Sequence, residues 1–286
     1  MGMPKRLKEQ TGRFSLVDGI AFQLPVGSHK TPALIAAFSI NADKAKALMP
    51  GNELHPYRLW NKGLLVITVV NYQVTNIGSY IEYSIAIACT HGSSPAMRLL
   101  PGLFTKTFGT GQYVFDLPVS TEISVKGGKG IWGMPKHQAS MDFLVGDEWV
   151  SSQYDLDGEL AMRIDVKRRH GINLNIGMSG TNYCAFRGML MASYIYFKGS
   201  AAFSLFKADS ARLVIGNHPR LQPLKELETE QRPIFAGYFS ETQGVLDDHF
   251  ECWFLSQSTP PSVKPEGMES VVDLGLSQTW PKPPAR

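Results

Sequence analysis

The sequence predicts a mainly β chain of the α+β kind, an antiparallel sheet closed into a β-barrel or folded into a double sheet, with a few short helices. Two observations carry that expectation. Aromatic and β-branched residues recur in short runs separated by turn residues, the pattern of strands with at least one buried face. Helical signals are few and short, and a mostly antiparallel sheet hides its edges best by closing on itself or by stacking.

In chain order, the strand candidates are 14–24, 33–40, 64–74, 80–89, 113–117, 138–145, 149–156 and 160–166. Gly146-Asp147 and Asp157-Gly158 read as tight turns joining the last three. Later strands are expected at 172–176, within 183–196, and at 201–215. Asn41 can cap a helix over 42–49 that Pro50 ends, because Asn accepts from free amides and Pro cannot continue the ladder. Pro219 opens a second helix over 219–227, with Leu221, Leu224 and Leu227 at three-residue spacing. Residues 1–13 read as an extension and 14–255 as one domain. The proline-rich tail over 256–286 is expected to lie extended on the surface or on a neighbouring subunit.

A chain of 286 residues, 43% hydrophobic and 19% charged, can bury a substantial core. The net charge of +3 is spread out, with Lys167, Arg168 and Arg169 as the one compact basic run. That is too little for a nucleic-acid footprint, and there is no amphipathic basic helix for a membrane surface. Cys89, Cys184 and Cys252 are far apart, which argues for a reducing compartment and against a disulfide framework or a zinc knuckle. The N-terminus lacks the apolar stretch of a signal peptide, and the strongest apolar run, 64–70, is too short to span a bilayer. A cytoplasmic protein is expected. The seven histidines show no ligand spacing, so neither a metal nor another cofactor is expected.

The most informative segment is 127–139, Gly-Gly-Lys-Gly-Ile-Trp-Gly-Met-Pro-Lys-His-Gln-Ala. It puts Lys136 after a Gly-x-Pro turn, among Ile131, Trp132, Met134 and Ala139. A neutral lysine amine attacks ketones to form a protonated imine, a better electron sink than the carbonyl, but an ordinary lysine is almost wholly protonated at neutral pH. Burial among apolar groups favours the neutral form. Alone, a lysine after a proline turn is usually a solvated loop residue; its context is what singles out Lys136.

That context resembles the active-site segment of the acetoacetate decarboxylase family, roughly Gly-Arg-Glu-aromatic-Gly-x-Pro-Lys-Lys. Ile77-Gly78-Ser79-Tyr80-Ile81-Glu82 is similar to the family's Gly-x-Tyr-x-Glu segment, so Glu82 matches its active-site glutamate. The stretch from Phe38 to Pro50 looks like the family's aromatic strand, short helix and terminating proline, and Arg212-Leu213-Val214 with Gly216-Asn217-His218-Pro219 resembles its late strand and helix. The resemblance covers about residues 14–255. It implies a barrel fold, a Schiff-base lysine and a homo-oligomer. Strand alternation adds that Tyr80, Glu82, Ser84, Ala86 and Ala88 share one face, with Ile81, Tyr83, Ile85, Ile87 and Cys89 on the other. A pocket lined by Tyr80 and Glu82 and a half-buried strand showing Glu82 to solvent both fit that alternation.

Three positions depart from the family. His137 stands where a second lysine is common, and strand alternation would turn it away from the face of Lys136. Desolvation therefore ranks ahead of charge repulsion as the means of holding the amine neutral. Thr31 aligns with the arginine thought to hold the substrate carboxylate, leaving His29 and Lys30 as cations that could substitute. Lys129-Gly130 replaces Arg-Glu, and Glu122, in a Pro-Val-x-x-Glu stretch, is the acid that could have moved upstream.

The expected site is thus Lys136 and Glu82 as catalytic residues, with Tyr80, Glu122, Trp132, Met134, His137 and Lys30 around the substrate. The expected reaction is decarboxylation of a small β-keto acid through an iminium and enamine on Lys136, with Glu82 positioning the substrate or relaying protons. Two alternatives stand beside it: imine-driven aldol or dehydration chemistry without loss of carbon dioxide, and a barrel that binds a small apolar molecule without catalysis.

Overall fold

The computed structural model describes residues 4, 5, 7, 12–98, 100–169 and 174–256. Most of them lie in strands. Seven strands close a barrel in the order β9 (Gly111–Val119), β15 (Leu174–Phe186), β16 (Met189–Leu205), β18 (Pro233–Phe254), β4 (Ala33–Asn41), β6 (Lys62–Tyr72) and β8 (Tyr80–His91), with β8 pairing back onto β9. Neighbours are antiparallel except β9 and β15, and a short β10 (Lys136–Gln138) adds to β9 in parallel. Closure leaves little open edge, as the sequence predicts. β3 (Val26–His29) and β7 (Val74–Thr75) attach through β18, and β5 (Leu54–Pro56) attaches to β8.

A second sheet holds β11 (Ser140–Met141), β12 (Leu144–Val145), β13 (Trp149–Leu156), β14 (Glu159–Lys167) and β17 (Ala211–Ile215). It packs on one face of the barrel sheet, where Leu34, Phe38, Ile67, Tyr83 and Ile85 meet Val150, Tyr154, Met162 and Ile164 in the main core. A smaller core of Phe22, Leu117, Ile131, Trp132, Met134 and Cys184 joins the sheet to helix α2 (Glu122–Trp132) and to the hairpin of β1 (Arg13–Val17) and β2 (Ile20–Leu24). Tyr83, Ile85, Ile87 and Cys89 belong to the main core, so the alternation read for β8 is realised and Tyr80 and Glu82 are left for other work.

Several boundaries differ from the sequence expectation for local reasons. The strand expected at 14–24 is a hairpin about Asp18-Gly19, whose φ values of 48° and 79° suit a tight turn. Asp157-Gly158, at 52° and 81°, turns between β13 and β14 as expected, and Arg187-Gly188 does the same between β15 and β16. The strand expected at 138–145 breaks into β10, β11 and β12, and that at 201–215 divides between the end of β16 and β17. The first helix, α1 (Ala42–Leu48), is capped by Asn41, whose Oδ1 accepts from the Asp43 and Lys44 amides at 3.0 and 3.2 Å. The second is a 3₁₀ turn at Pro219–Leu221 followed by Gln222–Lys225, and it buries Leu221, Leu224 and Leu227. Helix α2 and the 22-residue β18 were not anticipated. The expected tail beyond Ser256, most of the expected extension, and part of the strand at 172–176 lie outside the described residues. Among the described residues no helix is long and apolar enough to cross a membrane.

Candidate active site

Lys136 begins β10, immediately after α2 ends. The Gly-Met-Pro sequence is a helix stop: Gly133 is left-handed at φ 62°, its amide and that of Met134 close on the carbonyls of Lys129 and Gly128, and Pro135 prevents continuation. The chain then pairs Lys136 with Leu117 of β9. Two residues along the same strand, Val119 pairs with Glu82 of β8. β9 thereby brings together a lysine and a glutamate 54 positions apart.

The lysine stem lies across α2 at Gly128. A Cβ there would fall 2.4 Å from Lys136 Cδ and 2.7 Å from Cε, so only glycine leaves the passage open. Gly127 serves the smaller core in the same way, since its Cβ would meet the Phe22 ring at 2.7 Å. Lys136 is 4% exposed. Its Nζ lies 2.7 Å from Glu82 Oε2, donates to Ser124 Oγ at 2.9 Å, and sits 5.5 Å from the centroid of the Tyr80 ring. Ser124, on α2, is itself buried.

Tyr80 stacks on Tyr72 at a centroid distance of 4.6 Å. Both tyrosines line the same cavity as Glu82 and Lys136. Burial, and secondarily the charge of Glu82, pushes both phenols well above their ordinary range, so both remain protonated. Nearby Cys184 is pushed up to about 12 by burial and is not a thiolate at neutral pH.

A cavity of about 50 Å³ opens at this cluster, lined by Ser28, Tyr72, Tyr80, Glu82, Met134, Lys136 and Asn182 together with apolar residues of β3, β16 and β18. A wider cleft of about 790 Å³ carries His91, Tyr194, His249 and Trp253 among its lining. Its lysine, Lys106, is exposed. The buried pairing of an amine with a carboxylate belongs to the small cavity and not to the wider cleft.

Of the residues expected from the sequence, Lys136, Glu82, Tyr80 and Met134 converge on this cavity. Trp132 instead lies in the smaller core and donates from Nε1 to the Asp247 carbonyl at 3.1 Å. Glu122 is exposed at the first turn of α2. Lys30 and His29 are exposed where β3 turns into β4, with Lys30 at φ 48°. Thr31 is buried and held by Thr242, not at the cavity wall. His137 points to the opposite face, as alternation requires, with Nε2 at 3.0 Å from Asp116 Oδ1. Asp116 is 1% exposed and also accepts from Nε and Nη2 of Arg220 at 3.0 and 2.9 Å.

Ser124, Tyr72 and Asn182 were not anticipated. Tyr72 had a signal, since it stands two residues beyond Val70 on the strand facing Glu82. Ser124 had none in the sequence alone, because its approach to Lys136 depends on a helix rich in glycine.

The acetoacetate decarboxylase family profile matches residues 15–180. No curated protein sequence matches the chain. Among solved structures, acetoacetate decarboxylase from Legionella pneumophila is similar at 12% identity, over 78% of this chain and 85% of that one, with a TM-score of 0.54. The enduracididine biosynthesis enzyme MppR complexed with pyruvate is similar at 11% identity, over 80% and 90%, with a TM-score of 0.56. An acetoacetate decarboxylase-like enzyme from Sphingomonas wittichii RW1 shares 12% identity, over 81% and 94%, with a TM-score of 0.52. At these identities the structural likeness establishes the fold, whereas the profile covers more than half of the 286 residues. With the closed barrel and its strands accounted for, the chain belongs to the acetoacetate decarboxylase family.

Proposed function

We infer that this protein is a Schiff-base-forming lyase that decarboxylates a small β-keto acid on Lys136. The observation that carries this reading is the enclosure of the Lys136 amine beside Glu82 and Ser124 at the wall of a cavity. Glu82 takes a proton from the ammonium, and the neutral amine adds to the ketone. Loss of water from the carbinolamine gives an iminium. Electrons of the bond to the carboxylate flow into it as carbon dioxide leaves, the resulting enamine takes a proton on carbon, and water releases the ketone. Enclosure keeps the charges poorly hydrated and the geometry fixed, which supports the rate without an external group.

The small cavity favours a substrate of few heavy atoms. The test is borohydride reduction in the presence of a panel of ketones and β-keto acids, with peptide mapping and measurement of carbon dioxide. A ketone-dependent adduct on Lys136 together with carbon dioxide release is expected. Absence of any adduct on Lys136 would leave a barrel that only binds small molecules.

One observation favours a second reading. Among the described residues, the cavity lining has no cation besides Lys136 to hold a carboxylate. The same iminium can drive aldol condensation, cleavage or dehydration of keto acids, and one structural neighbour, MppR, is described in complex with a condensation product of pyruvate and imidazole 4-carboxaldehyde. An adduct without carbon dioxide release would favour this reading over decarboxylation.

A further inference from the structure

Asn182 has a carboxamide whose two ends are put to different use. Gln112 Nε2 donates to Asn182 Oδ1 at 2.8 Å, and the two residues are paired in the parallel register of β9 and β15. With the acceptor end turned to Gln112, the two N–H donors of Nδ2 remain. Ser193 stands opposite Asn182 on β16, but its buried Oγ has no hydrogen-bond partner among the described residues, so Nδ2 does not donate there. Strand alternation puts Asn182 on the face of Cys184, which packs in the smaller core with Met134, while Tyr183 turns to the main core. That face borders the cavity, whose lining includes Asn182, Lys136 and Glu82.

We propose that Asn182 determines specificity: its Nδ2 donates to a second oxygen of the substrate, near the ketone carbonyl that Lys136 attacks, and Gln112 is the positioning residue that keeps the donor end inward. The proposal rests on the Schiff-base reading of Lys136. The substrate class is a short ketone carrying a carbonyl or carboxylate oxygen close to the reacting carbon. Glu82, Tyr72 and Tyr80 enter the cavity from β8 and β6 on one side of β9, whereas Asn182 enters from β15 on the other. An acceptor oxygen held by Asn182 is thus directed away from the negative charge of Glu82, which would repel it. A neutral donor also selects differently from a cation. It holds an ester, amide or acid oxygen through one hydrogen bond, whereas a guanidinium fork favours an anion.

The test compares borohydride trapping of methyl acetoacetate, neutral and with an acceptor oxygen, with trapping of acetone, which has no second oxygen. The ratio of the two rates is the readout, because any change in the basicity of Lys136 affects both ketones alike. Asn182→Asp keeps the shape and still accepts from Gln112, but it presents an acceptor to the cavity in place of a donor. The ratio is expected to fall by about 10-fold, roughly the worth of one hydrogen bond to substrate. Gln112→Glu leaves Asn182 in place and offers it a carboxylate, so the carboxamide should turn over, donate to position 112 and show Oδ1 to the substrate. The same fall in ratio is expected there, and also when acetoacetate replaces its ester. An unchanged ratio in either folded variant would overturn the role of Asn182 while leaving the Schiff base intact. No ketone-dependent adduct in the unmodified protein would overturn both.

Discussion

Gly128→Ala separates the making of the fold from the making of the site. An Ala at this position keeps helical backbone geometry, since Gly128 has no positive φ, and replacing Gly by Ala in a helix favours folding by roughly 1 kcal/mol. Against this, the new methyl would stand 2.4 Å from Lys136 Cδ. Carbon atoms pack at about 3.5–4.0 Å, so the stem must move by more than about 1 Å. Forcing an extra methyl into a packed site typically costs about 1–3 kcal/mol. The atoms in the way belong to a flexible side chain, so the two effects nearly offset and the net loss is at most about 2 kcal/mol. At about 2–4 °C per kcal/mol, the melting temperature should fall by less than about 8 °C. The amine cannot move so cheaply, because it is held at hydrogen-bonding distance from both Glu82 and Ser124. A displacement near 1 Å at a reacting group can cost about 100-fold. Calorimetry together with borohydride trapping should therefore find a folded protein with adduct formation slowed by about two orders of magnitude. Parental trapping in folded Gly128→Ala would refute the argument that this glycine is there for the lysine. Gly127→Ala is the control, since its methyl meets Phe22 and should lower stability without displacing the lysine stem.

Three other outcomes follow from the same geometry. Asp116→Ala leaves His137 and Arg220 without their shared buried acceptor, and urea denaturation should show a loss of about 3–5 kcal/mol. His55 donates from Nε2 to the Gly92 carbonyl, and burial lowers its pKa below the ordinary 6.5. The unfolded chain therefore takes up this proton first, so this contribution is present above pH 6.5 and is lost as pH falls through the folded value; melting temperatures from pH 7.5 to 5.5 should fall less steeply in His55→Gln. Burial raises the thiols of Cys89 and Cys184 while Cys252 is exposed, so brief iodoacetamide treatment followed by peptide mass spectrometry should label Cys252 and spare the other two.

The parts legible in the sequence were those written into local chemistry. Period-two alternation on β8 separated Tyr80 and Glu82 from Tyr83, Ile85 and Ile87, and the same rule turned His137 away from Lys136. Asn41 and Pro50 bounded α1, and Asp157-Gly158 marked the hairpin between β13 and β14, whereas Asp18-Gly19 lay hidden inside what reads as one strand. What escaped was written between distant segments. Helix α2 contains Gly127, Gly128 and Gly130, which weigh against a helix taken alone; they are understood only once Phe22 and Lys136 are seen lying against the first two. β18 was obscured by Gly237 and Gly244 and by its charged residues. The Gly237 Cβ position is filled by the Phe203 ring, and Asp247 is buried while accepting from Trp132 through its carbonyl. Lys30 looked like a cation for the site because it adjoins the position of the missing arginine, but adjacency along a strand turn does not carry a side chain across the sheet.

β9 touches neither proton nor substrate in the proposed reaction, yet it fixes the separation of the two groups that do. Lys136 is registered on Leu117 and Glu82 on Val119, one from each side of the same strand. The strand acts as a ruler with two marks, and Pro118 lies between them. Insertions in the turns that lead to β8 or out of α2 can lengthen the chain without altering that interval. A single insertion or deletion between residues 117 and 119 alters it at once. The chemistry of this barrel is therefore most sensitive to length, rather than identity, along a strand with no chemistry of its own.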